Sequence, residues 1–244
     1  MNDHAFGVLD SVKTAWRLVK GAKGIVLSGF VFIMIIHFGI YTLDSSHFIK
    51  DATGHMMLEW ILTKFLLTVV SMMLGWSLLY IGAQRAYGRP IHFSMLKYAF
   101  NLKLAIKMFG LYMMEALVLL VPLFVMLAPS GFISSTEGKM SDTMALLMLG
   151  IICVGMLSVA YFVFRLFFAK LIVTLQKGGP ISGIKQSFTL SKSNVFKLML
   201  LSLLNIVIIV VSLLPLGLGL IWSLPYIVIN YGVVYAKLAG DEGV

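Results

Sequence analysis

Asp44, His47, Asp51, His55 and Glu59 follow one another at spacings of 3, 4, 4 and 4. On a helix, carboxylates and imidazoles at those intervals share one face and suit a divalent cation. Gly54 interrupts that helix and no partner ligand is evident elsewhere. His47, Asp51 and His55 are therefore a weak metal candidate, and a solvated polar face is the expectation, because spacing alone does not assemble a coordination sphere. Lys64, Glu115, Arg165, His37, Asn205 and Asn230 are polar side chains inside apolar sequence. Ionisable groups in hydrocarbon are costly and mark ion paths, relays or structural pairs. Glu115 and Arg165 fall at roughly the same depth, about 13 Å into two successive apolar runs at 1.5 Å per residue. They are expected to form a buried ion pair or gate, with Tyr112 or Tyr161 taking up leftover hydrogen bonds. Asn205 and Asn230 are expected to bridge helices, and His37 to be a hydrogen-bonded packing residue.

No catalytic constellation is complete. The chain has neither a His-Glu-x-x-His nor a Gly-x-Ser-x-Gly sequence. Arg89-Pro90 and Pro129-Ser130-Gly131 contain part of a lipid-phosphatase pattern, but Phe132 stands where its histidine belongs. The lone cysteine, Cys153, excludes an intramolecular disulfide. It is expected to be a buried packing residue. Neither an enzyme nor a cofactor is expected.

The elements that would position these residues are set by composition. The chain is 60% hydrophobic and 12% charged, whereas about a quarter of residues are charged in a soluble domain. Apolar runs occupy about 24–43, 58–83, 104–128, 143–174, 195–214 and 217–238. Each exceeds the ~18 residues that read as a membrane span. The fourth is longer than one crossing needs, and Pro215-Leu216-Gly217-Leu218-Gly219 suits a tight turn between the last two. The first run is too long for a cleavable leader and lacks a following cleavage site.

The net charge is +9, but its placement argues against nucleic acid. Lys13, Arg17, Lys20 and Lys23 precede the first run. Arg85, Arg89, Lys97, Lys103 and Lys107 lie in or at the edge of the second-to-third connection, and Lys177, Lys185, Lys192 and Lys197 in or at the edge of the fourth-to-fifth. The opposite loops hold Lys50 and Lys139 against Asp44, Asp51, Glu59, Glu137 and Asp142. Basic residues gather on the cytoplasmic side of short loops, which places both termini there.

One phrase recurs ahead of the apolar runs. Val12-Lys13-Thr14-Ala15-Trp16-Arg17-Leu18, Leu96-Lys97-Tyr98-Ala99-Phe100-Asn101-Leu102 and Ile184-Lys185-Gln186-Ser187-Phe188-Thr189-Leu190 share apolar, Lys, any, Ala or Ser, aromatic, any, Leu. Their lysines lie 84 and 88 residues apart, as an internal repeat requires. Each phrase reads as a basic amphipathic helix lying in the headgroup layer. Lys13, Lys97 and Lys185 would meet lipid phosphates, with Trp16, Phe100 and Phe188 at the acyl boundary. Asp10, Ser94 and Ser182, three residues before each lysine, are types that cap helix N-termini. The fold expected is a single all-α membrane domain over 1–244. Its six transmembrane helices form three parallel repeats (about 5–83, 90–174 and 180–240), each an amphipathic interfacial helix plus a transmembrane hairpin.

The C-terminal third carries a resemblance. Gly179-Pro180-Ile181-Ser182-Gly183-Ile184-Lys185-Gln186-Ser187-Phe188, Asn194, Gly217-Leu218-Gly219, Leu224-Pro225-Tyr226 and Tyr235 resemble a broad group of bacterial inner-membrane proteins. The group includes YciC-like proteins and the membrane domain ahead of some glycerophosphodiester phosphodiesterases. It implies an inner-membrane location; the phosphodiesterase domain has no counterpart here, so its activity is not implied.

These readings favour a non-catalytic inner-membrane protein that organises lipids, anionic ones in particular, or envelope partners through basic interfacial helices. A small transporter or channel along the repeat axis is the alternative, and an intramembrane enzyme acting on lipid is a distant third. The topology is testable in a Cys153→Ser background. Ser45→Cys and Ser141→Cys should react with an impermeant thiol reagent in intact spheroplasts, whereas Gly88→Cys and Gly178→Cys should react only after lysis. Labelling of both sets from one side would overturn the topology.

Overall fold

The computed structural model describes residues 6–45, 54–135, 141–175 and 178–240, and they contain helices and no strand. The helices are α1 (Val8–Leu18), α2 (Lys23–Ser45), α3 (Gly54–Ala86), α4 (Leu102–Ser135), α5 (Asp142–Arg165), α6 (Ala169–Thr174), α7 (Pro180–Ser191), α8 (Val195–Leu213) and α9 (Leu220–Ala239). A single 3-10 turn, Phe93–Lys97, lies between α3 and α4. Among the described residues five stretches are long and apolar enough to cross a membrane: Lys23–Thr42, Leu58–Ala86, Leu102–Pro129, Asp142–Thr174 and Val195–Leu213. The chain is a multi-pass helical protein on that basis.

The sixth expected span, α9, is long enough at 20 residues. Pro225, Tyr226, Asn230, Tyr231 and Lys237 dilute its apolarity, and its burial explains how it can carry them. Tyr226, Ile229, Asn230 and Val234 are all 0% exposed. A helix covered by protein does not need a lipid-soluble surface.

The chain divides into two compact units, one of residues up to Ala105 with those from Leu200 onward, the other Ile106–Met199. In the first, α9 packs against α3, α1 and α2. The α3 and α9 backbones meet at two glycines. A Cβ on Gly82 would stand 2.3 Å from the Val228 carbonyl oxygen, and one on Gly232 would stand 2.5 Å from the Gly82 oxygen. Ala15, Val19, Val26, Leu78, Ile81 and Tyr226 fill the core around this contact. The α1 C-terminus is held by Arg85, which donates from Nε to the Leu18 carbonyl (3.1 Å) and from Nη2 to that of Lys20 (2.7 Å). Those carbonyls belong to a helix end and lack intrahelical donors. Gly21 then turns the chain at φ +90°, a left-handed conformation that favours glycine. The α8–α9 turn likewise uses Leu216 (φ +53°) and Gly217 (φ +78°).

In the second unit the fourth apolar run is not one helix. It stops at Arg165, bends through Leu166–Phe168 and resumes as α6. Gly155 lies against the α4 backbone, where a Cβ would come 2.6 Å from Met126 Cα. Pro180 opens α7 at a first-turn position, where its missing N–H costs nothing.

Two expectations need correcting. The second repeat phrase is a 3-10 turn and not an amphipathic α-helix, because Asn101 accepts from the Lys103 N–H (2.9 Å) and restarts the chain as α4. The helix caps also sit earlier than expected, with Gly7, His92 and Gly179 opening the three segments. Asp10 instead binds Lys237 of α9, and that ammonium holds its carboxyl below the ordinary carboxylate range.

The glycine contact generates a prediction. Gly82→Ala and Gly232→Ala should each destabilise the protein by about 1–3 kcal/mol, the usual range for overpacking. Gly75→Ala, in the same α3 helix but with nothing within 4 Å of its Cβ position, should be neutral or stabilising, since alanine is the better helix former. Thermal melting in detergent checks this. Similar losses at Gly75 and Gly82 would show that the backbone contact does not matter.

Candidate functional site

The three repeat phrases present the same sides. Ala15, Ala99 and Ser187, the small position, are each 0% exposed. Lys13, Lys97 and Lys185 are all exposed. Trp16 and Phe100 are each 49% exposed, and Phe188 is half-buried. The small residue is thus where the segment presses on its unit, and a larger side chain would lift it off. Two residues toward the N-terminus, the lysine points away.

The buried small residue is also where backbone polarity is settled. In the first unit the Ser77 hydroxyl accepts from the Ala99 N–H (3.2 Å) and donates to the Met73 carbonyl (3.2 Å). In the second, the Ser187 hydroxyl accepts from the Phe168 N–H (3.1 Å) and donates to the Arg165 carbonyl (2.7 Å). Ser191 donates to the same carbonyl at 3.3 Å. One hydroxyl therefore satisfies both groups released by the α5–α6 break, as buried backbone requires. Sequence reading missed the break; its only signal was a run too long for one crossing.

Glu115 and Arg165 do not pair. Glu115, 8% exposed, lies 3.4 Å from Lys170 on α6. The Arg165 guanidinium lies 4.7 Å from the Phe188 ring centroid and 5.8 Å from that of Tyr161. The expectation failed because it treated the fourth run as unbroken. With α5 ending at Arg165, α6 brings Lys170 to the carboxylate instead. Depth changes with it. α4 has 20 residues without a formal charge after Glu115, and α5 has 22 before Arg165. Each matches a hydrocarbon core about 30 Å thick at 1.5 Å per residue. Neither charge has to enter the hydrocarbon. Lys64 follows the same rule, with 20 uncharged residues between it and Arg85. Its ammonium lies 4.4 Å from the Trp60 ring centroid, a pairing suited to an interface belt.

Asn205 and Asn230 meet. The Tyr226 hydroxyl donates to Asn205 Oδ1 (3.0 Å), and Asn230 Nδ2 donates to that oxygen (3.2 Å) and to the Tyr226 oxygen (3.0 Å). All three are at least 93% buried, so this is a buried triad bridging α8 and α9, with Asn230 Oδ1 left without a partner. His37 Nδ1 lies 2.8 Å from the Ile33 carbonyl, to which that nitrogen donates when it carries the proton. Cys153 is exposed on α5, contrary to the expectation of burial.

The weak metal candidate lies outside what is described: His47 and Asp51 are not among the described residues, and the His55 side chain is not described. Among the described residues, no three His, Cys, Asp or Glu side chains gather as a metal site. The residues that carry the family resemblance are mainly structural here. Gly179 and Pro180 open α7, Asn194 precedes α8, Gly217 turns the chain, and Tyr226 and Tyr235 are core residues of α9.

The Glu115–Lys170 pair makes an asymmetric prediction, because the side chains are 10% and 42% exposed respectively. Lys170→Gln strands a buried carboxylate and should destabilise by roughly 1–3 kcal/mol. Glu115→Gln leaves an ammonium that reaches the surface and should cost less than about 1 kcal/mol. Detergent melting of both variants checks the order; equal losses, or the reverse order, would show that the carboxylate does not depend on Lys170.

No family model, curated protein or solved structure matches this chain.

Proposed function

We propose that the protein is a non-catalytic, multi-pass inner-membrane protein that organises lipids or envelope partners through a basic collar on the cytoplasmic side. The collar is Lys13, Lys97 and Lys185, with Trp16, Phe100 and Phe188 seated at the acyl boundary. One observation carries the reading: in all three phrases the lysine is exposed while the small residue two positions on is fully buried. That pattern fixes each segment against its unit and turns its charge outward. In this reading α9 is a sixth span sheltered by its neighbours, both termini are cytoplasmic, and the three segments mark three parallel units.

The fate of the polar residues supports an organising role over a conducting one. Glu115 Oε2 meets Lys170 and Lys64 lies over Trp60, while Asn205, Tyr226 and Asn230 bond to one another. A conduction path needs such groups to converge on water. The resemblance to YciC-like inner-membrane proteins agrees with a membrane role.

The test is the triple variant Lys13→Glu, Lys97→Glu, Lys185→Glu in bilayers of mixed phosphatidylglycerol and phosphatidylcholine. Each basic residue near an anionic surface is worth about 1 kcal/mol, so enrichment of phosphatidylglycerol around the protein should fall several-fold. Unchanged lipid preference together with loss of a small-solute flux would replace this reading with transport.

A further inference from the structure

Among the described residues the Arg165 side chain has no anionic partner, and its surroundings show what kind would complete it. The guanidinium is always charged. Its Nε and Nη1 are enclosed and make no hydrogen bond. The rings of Phe188 and Tyr161 flank it, which orients the cation without neutralising it. The carbonyls at the end of α5 are occupied, and the unpartnered acceptors Glu115 Oε1 and Asn194 Oδ1 do not bond to the guanidinium. Phe162 accepts from the Leu166 N–H and Phe164 from the Phe167 N–H. The Arg165 carbonyl accepts from Ser187 and Ser191. Among the described residues of Ile106–Met199 the acids are Glu115 and Asp142. Glu115 is held by Lys170, and Asp142 stands at the opposite end of α5, about 34 Å away at 1.5 Å per residue.

We propose that Arg165 anchors one tightly held phosphate group where α5 ends, supplied by an anionic lipid or by free phosphate. Arginine's planar fork matches phosphate oxygens, and the half-buried side chain sits where the charge-free length of α5 ends. A path for an acyl chain leads away from it. Cys153, Leu157 and Tyr161 precede Arg165 at successive intervals of four on α5, and all three are exposed. Residues at that spacing share one helix face, so a phosphate on Arg165 continues into an apolar stripe. Ser187 and Ser191 fix the helix end that carries the guanidinium, and Phe188 from the same helix supports it from α7. The site adds one specific position to the proposed collar and rests on that reading only for the lipid as source.

The experiment is stepwise delipidation of the full chain from equimolar phosphatidylglycerol and phosphatidylcholine, followed by native mass spectrometry. The wild type should keep one phosphatidylglycerol after the other lipids have left. Arg165→Gln should lose it about tenfold more readily, as expected for one charge-assisted contact. Phe188→Leu, which keeps the charge but removes the platform, should also release it faster. Retention in excess inorganic phosphate supports a lipid as the source; displacement supports a phosphate site served equally from solution. A wild type that keeps no phosphatidylglycerol in preference to phosphatidylcholine overturns the proposal, whether or not Arg165→Gln folds. So does a folded Arg165→Gln that holds the lipid as the wild type does. The collar variant separates the two ideas. Loss of bulk preference with the single lipid retained leaves both standing. Loss of that lipid only in Arg165→Gln, with bulk preference unchanged in the collar variant, leaves the site and removes the collar.

Discussion

Apolar helices in a bilayer gain little from hiding apolar surface from one another, because lipid is as apolar as they are. Their assembly depends on backbones coming close enough for dense van der Waals contact, with a few polar links. Gly82 and Gly232 meet that requirement in the first unit, where α3 and α9 touch main chain to main chain. Once the contact is made, α9 is enclosed by α3, α1 and α2. Enclosure lets α9 carry Pro225, Tyr226 and Asn230, all fully or nearly fully buried. The Asn205–Tyr226–Asn230 triad then fixes α8 on the same helix. Remove the close approach and these polar groups lose the cover that makes them affordable.

The surface segments depend on a related constraint. Wherever the chain leaves a spanning helix, backbone N–H and carbonyl groups lose their intrahelical partners. Ser77 and Ser187 each serve a freed N–H and a helical carbonyl through one hydroxyl, and Arg85 supplies the end of α1. The side chains that seat these segments are therefore small and polar or long and cationic. The lysines left over on the same segments have no such internal task. That division of labour is what gives the outward charges their functional interest.

Much of this was legible in the residues. Apolar run length located the helix starts to within about four positions, and glycine with proline marked the turns before α7 and α9. The repeat phrase marked three lysines that are exposed, but that the small residue two positions on is buried is visible only in the fold. What the phrase could not convey was conformation: Asn101 looks like a helical polar residue, yet as the cap of α4 it leaves the second phrase with a single 3-10 turn. The break after Arg165 was hidden for a related reason. Leu166-Phe167-Phe168 contains no glycine or proline, and the groups that stabilise the bend come from Ser187 and Ser191, some 20 residues away. Ion-pair partners follow from the bend, so Glu115 was assigned to the wrong cation.

The bend also changes what a charge inside an apolar run signifies. Counting hydropathy along the sequence places Arg165 well inside a 32-residue apolar run over 143–174, where an isolated guanidinium would be expensive. Ending α5 at Arg165 returns the cation to the edge of a segment that already spans the core. The cost of burying it no longer dominates, and the shortage that remains is one of acceptors. Glu115 meets Lys170, the carbonyls at the bend are taken, and the flanking rings orient the cation without neutralising it. At the edge of a bilayer the abundant acceptors are headgroup phosphates. The serines that close the bend thereby also set where the Arg165 guanidinium lies.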